Sequence, residues 1–102
     1  MSLTTIEWTQ NALDAVREHA CWLRDNTARS PSGWIDTLFS RVESLQEFPA
    51  MGAPWKRSAA SGLRQLVVDR HIVIYRLVER TTVQVLAVRH HAQGPVALDE
   101  LG

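Results

Sequence analysis

Arginine dominates the side chains that could do chemistry here. Ten of the 11 basic residues are arginine. Five cations, Lys56, Arg57, Arg64, Arg70 and Arg76, fall within residues 54–76 against one acid, Asp69, a local excess of four in a chain whose formal charge is zero. A planar guanidinium fork suits carboxylates and phosphates. The cluster reads either as a docking patch for an acidic or phosphate-bearing partner, or as a solvated strand face in an arginine-rich chain. The second candidate group is Arg89, His90 and His91. Imidazoles can take the 2′-OH proton and protonate the leaving oxygen, and a guanidinium can stabilise phosphorane charge, the three requirements of RNA cleavage by protein alone. Neighbours on a regular strand point to opposite faces, so His90 and His91 could not share one metal, and no Asp, Glu or Cys stands at ligand spacing beside them. No metal and no cofactor are expected.

Trp55 sits beside Lys56 and Arg57. Exposed, it would anchor a partner. The favoured reading is that it folds back over the helix–sheet junction, as large apolar side chains usually find burial. Trp8, Trp22 and Trp34 lie on apolar faces and read as core. Tyr75 reads as core with its hydroxyl bonded. The single cysteine, Cys21, excludes an internal disulfide framework and a multi-thiolate zinc site, and nothing beside it marks a nucleophile.

The elements that must carry these residues follow from a change of period. Residues 4–9 alternate around Ile6 and Trp8, as a short half-buried strand does. Thr9 or Asn11 can cap a helix whose stripe is Leu13, Val16, Ala20 and Leu23, with Ala12, Ala15 and Trp22 beside it. Residues 26–29 break the pattern, and Ser30-Pro31 opens a second helix with stripe Ile35, Leu38, Val42 and Leu45. A short turn between two helices makes a nearly antiparallel hairpin, ended at Phe48-Pro49. Residues 48–62 form a long connection. The period then drops to two over 63–68, 72–78 and 82–89, with polar turns at 69–71 and 79–81, so an antiparallel meander is expected. The fold class is α+β, in the order β-α-α-β-β-β, with the helical hairpin packed on an antiparallel sheet. Val96, Leu98 and Leu101 in the tail are apolar enough to pack, at no assignable place.

At 102 residues the chain is expected to be a single domain. With 45% hydrophobic and 22% charged residues it is not expected to be disordered. A pI near 6.9 gives no sign of a bulk-charge nucleic-acid binder. No signal peptide and no membrane span are visible, and a cytoplasmic location is expected.

Several ordered segments resemble the RelE/ParE superfamily of toxins from type II toxin–antitoxin systems. They are Ile6-Glu7-Trp8-Thr9, then residues 45–54 with the sequence LQEFPAMGAP, then residues 62–68 with GLRQLVV. Ile74-Tyr75-Arg76-Leu77 and residues 85–90 with VLAVRH complete the set. The resemblance covers roughly residues 4–92, and the Phe-Pro-x-Met-Gly-x-Pro pattern at 48–54 is more similar to the ParE branch. It implies a toxin neutralised by a cognate antitoxin and acting by binding, with inhibition of DNA gyrase as its effect. The alternative that the superfamily implies is a RelE-like, ribosome-dependent mRNA endonuclease, in which Arg89 and His91 would be the catalytic candidates. Against this, Ile72 stands where the RNA-cleaving relatives place an arginine, and Ala92 replaces a tyrosine of some of them. For the binding reading the contact candidates are Trp55, Lys56, Arg57, Arg64, Arg70, Arg76, Arg89 and His90. Arg64 occupies a position that the superfamily also fills with arginine, and a structural bond to Glu7 or Glu47 is its equal alternative.

Overall fold

Alternating residues make Thr5–Trp8 a strand, β1, whose inner side chains Ile6 and Trp8 pack against the main core. The computed structural model describes residues 4–28, 30–55 and 62–90. Helix α1, Gln10–Asn26, starts where the Thr9 side chain accepts from the Ala12 N–H. Its buried residues are Ala12 and Val16. Helix α2, Ser32–Glu43, follows Ser30-Pro31, buries Leu38 and Val42, and runs into a 3₁₀ turn over Ser44–Gln46 that buries Leu45. A two-residue strand β2, Ala53–Pro54, precedes β3 (Leu63–Val68), β4 (His71–Val78) and β5 (Thr82–His90).

The sheet runs β1-β5-β4-β3-β2. The three long strands form the expected antiparallel meander, and the α+β class stands. Two features correct the wholly antiparallel sheet. β1 pairs parallel to β5, Ile6 opposite Val83 and Trp8 opposite Val85. The helical hairpin lies between these strands in sequence, and a crossover of that length is what parallel pairing requires. The long connection also supplies a fifth strand, β2, antiparallel to β3.

Ala12, Val16, Leu38 and Val42 of the helices meet Leu66, Val68, Val73, Tyr75, Val83, Val85 and Val88 of the sheet in the main core. Alternation sends Leu63, Ile74 and Ala87 to the opposite face, where they join Trp55 and Leu86 in a second, smaller cluster with Ile72 against it. Trp55 is thus buried, folded onto the sheet face that lacks the helices. Trp22 departs from the expected core position and is 54% exposed. It lies roughly 100° round the helix from the line of Ala12 and Val16, off the face that packs on the core. No helix among the described residues is long and apolar enough to cross a membrane.

The β4–β5 pairing contains one irregularity. Val78 faces Thr82 and Tyr75 faces Val85, but Ile74 faces Ala87 and His71 faces His90. One extra residue, Leu86, enters β5 as a bulge. Thr9 holds it through its N–H to the Val85 carbonyl at 3.1 Å and its hydroxyl to the same oxygen at 2.9 Å. The Asn11 amide donates to the Leu86 carbonyl at 3.0 Å. The start of α1 therefore fixes which side chains at the end of β5 face the helices.

Candidate functional site

The bulge decides the chemistry at the top of the sheet. In an unbroken ladder Arg89 would oppose His71, and His90 would turn to the far face. With Leu86 inserted, His90 comes beside His71 on the helix side. His19, one turn beyond Val16 on α1, completes a trio of imidazoles. Ring centroids are 4.4 Å apart for His19 and His71, 5.0 Å for His71 and His90, and 5.6 Å for His19 and His90. Trp34 of α2 joins them, donating its indole N–H to His71 Nδ1 at 3.1 Å. His71 is 5% exposed. An Nδ1 that accepts this bond places the His71 proton on Nε2. Burial, then the neighbouring His90, hold the His19 pKa below its ordinary value.

The trio borders a cleft of about 690 Å³ between α1 and the end of β5. Asp14, Glu18 and Trp22 line it from the helix, Arg89 and His90 from the strand. His19 stacks on Trp22, 5.9 Å between centroids and 12° between planes. The imidazoles are in ring-to-ring contact, which leaves no gap for a phosphate between an acid and a base. No group of three or more His, Cys, Asp or Glu side chains among the described residues could hold a metal ion.

Strand alternation divides the arginines. Arg64 opposes Tyr75 on the helix side, whereas Arg76 opposes Leu63 and Gln84 on the far side. Arg76 is exposed and donates Nε–H to the Gln84 amide oxygen at 2.8 Å. Gln84 donates in turn to Glu7 at 3.1 Å. Arg70 is exposed in the β3–β4 turn. Arg64 bonds neither Glu7 nor Glu47. Its guanidinium donates to the Gly52 carbonyl at 2.7 Å and to the Ala50 carbonyl at 3.4 Å. Lys56, Arg57 and His91 lie outside the described residues.

Arg64 serves a turn that Tyr75 also holds. The wholly buried Tyr75 hydroxyl donates to the Pro49 carbonyl and accepts from the Gly52 N–H, each at 2.9 Å. Burial raises the Tyr75 pKa, partly offset by the Gly52 bond and by Arg64. A Cβ on Gly52 would stand 2.6 Å from both the Gln65 carbonyl and the Tyr75 hydroxyl, so the turn requires glycine. The turn thus pinned displays Phe48 and Met51, 60% and 40% exposed.

His19 and His71 escaped the sequence reading. They stand 52 residues apart in the sequence, and only the packing of α1 on the sheet joins them. The antiparallel pairing of the last two strands brings His71 near the end of β5, but the bulge has no local signature.

A family model described as the ParE toxin of type II toxin–antitoxin system, parDE, matches residues 6–95. No curated protein matches the chain. Among solved structures, the chain is similar to one in the RelBE2 toxin–antitoxin complex from Mycobacterium tuberculosis. The TM-score is 0.61 at 21% identity, over 86% of this chain and 98% of that one. A chain of the chromosomal ParDE toxin–antitoxin system from P. aeruginosa gives 0.67 at 18% identity, over 86% and 96%. At these identities the two structures speak for the fold.

Proposed function

The chain belongs to the ParE toxin family of type II toxin–antitoxin systems, and on that premise we propose that it arrests growth by binding DNA gyrase. A cognate antitoxin is the partner that such a toxin carries. The observation that favours binding over RNA cleavage is Ile72. The resemblance puts it where the cleaving relatives place an arginine, and it packs, half-buried, against the second core cluster. Without a cation at that position, one stabiliser of the phosphorane charge is missing. Arg70 and Arg76, exposed on the turn and far face of the sheet, are the proposed docking points, with Lys56, Arg57, Arg89 and His90 as further candidates.

One observation supports the endonuclease as a second reading: His19, His71, His90 and Arg89 meet at one cleft. Two features weigh against it. The rings fill the space between them, and Asp14 and Glu18 on the same cleft repel a phosphate backbone. Expression without the antitoxin separates the two readings. Gyrase binding predicts loss of negative supercoiling while transcripts stay intact. Primer extension that finds transcripts cut within the ribosome, with supercoiling unchanged, would replace it with the endonuclease.

A further inference from the structure

We propose that the cleft between α1 and the end of β5 is a receptor for a cationic side chain, an arginine or lysine, presented by the antitoxin. The occupant rests on the toxin–antitoxin reading above, whereas the chemistry rests on the cleft itself. Asp14, Glu18 and Trp22 succeed one another at intervals of four on α1 and line one wall. Asp14 accepts a bond from Gln10 at 2.8 Å, and Glu18 pairs with no cation among the described residues. Trp22 is large, apolar and more than half exposed, with an orientation that the His19 ring stacked on it helps to fix. A cation over an indole face with carboxylates one and two turns away gains both a cation–π contact and a charge-assisted hydrogen bond. Among the described lining residues, two carboxylates against one guanidinium, Arg89, leave an excess of negative charge at neutral pH. A carboxylate or phosphate guest is disfavoured by the same count. Metal chemistry is disfavoured as well, because His71 spends Nδ1 on the Trp34 indole and keeps its proton on the other nitrogen.

The test has two arms. In the first, N-acetyl-argininamide and its uncharged analogue N-acetyl-citrullinamide are titrated into the purified chain, and the Trp22 indole and His19 ring resonances are followed. The arginine compound is expected to shift both, with citrulline at least fivefold weaker and Glu18→Gln abolishing the difference. Equal responses, or none, overturn the proposal. In the second, binding of the cognate antitoxin is measured for the wild type, Trp22→Ala and Glu18→Arg. These are surface changes that spare the core. Losses of about fivefold and at least thirtyfold are expected. An antitoxin that binds both variants as tightly as the wild type overturns the proposal and leaves the toxin–antitoxin reading intact. A wild-type chain that binds no antitoxin removes that reading, and the proposed occupant with it.

Discussion

Replacing Tyr75 with phenylalanine removes one oxygen and leaves the packing volume almost unchanged. That oxygen holds two backbone groups of the 49–52 turn at 2.9 Å each, and Gly52 is buried. The Gly52 N–H loses its partner outright. A buried donor or acceptor left unsatisfied costs about 1–3 kcal/mol. The Pro49 carbonyl is only partly buried and can turn to water, so its loss falls at the low end. The sum is about 2–4 kcal/mol, a large share of the roughly 5–15 kcal/mol expected for a domain. For a chain of this size each kcal/mol moves Tm by about 4–8 °C, so the variant is expected to melt about 8–32 °C below the parent. Urea unfolding with an unchanged m-value would show that the loss is in stability rather than in compactness. A second consequence is local: without the clamp, amide exchange at Gly52 and Met51 should rise more than in the core strands. A change below about 0.5 kcal/mol would mean that the hydroxyl does not carry the turn. Faster exchange throughout the sheet, with the turn no different, would refute the assignment of its role to residues 49–52.

Three further outcomes follow from the same geometry. The His19 pKa is lowered in the folded chain, so the unfolded chain takes up protons first as pH falls. Stability from this group is complete above the unfolded value of 6.5 and is lost as pH drops through the lower folded value. Urea midpoints should therefore fall between pH 7.5 and 5, and His19→Asn should flatten that slope. Thr9→Val deletes both a helix cap and the hydroxyl bonds to Val85 and Leu86, and should cost about 2 kcal/mol while shifting the His90 ring resonances as the bulge loosens. Glu79 and Arg80 both take left-handed backbone, with φ of 54° and 62°. The double substitution Glu79→Asn with Arg80→Gly should stabilise the β4–β5 hairpin by about 0.5–1 kcal/mol, read by thermal unfolding.

Periodicity carried most of the architecture. The change from a spacing of three and four to a spacing of two located both helices and three strands, because each buries one face and the pattern records it. The parallel pairing of β1 was hidden, since four residues of alternation say nothing about which edge they join. Trp22 shows the limit of counting a stripe: it is apolar and adjacent to the stripe, yet more than half of its surface stays exposed. Arg64 was recognisable as a position of interest. Its partners were not, because backbone carbonyls of a turn leave no mark in the side-chain pattern. The imidazole cluster was illegible for another reason. It depends on a single inserted residue, Leu86, that exchanges the faces of Arg89 and His90, and on a helix residue, His19, that belongs to no apolar stripe.

Gyrase supercoiling in vitro bears most directly on the central claim. Increasing amounts of the purified chain are added to gyrase and relaxed plasmid, with and without an equimolar amount of the cognate antitoxin. Binding without RNA chemistry predicts a dose-dependent loss of supercoiling, restored by the antitoxin and weakened by Arg70→Glu and Arg76→Glu. Unimpaired supercoiling at saturating toxin, together with cleavage of ribosome-bound mRNA by the same preparation, would contradict it.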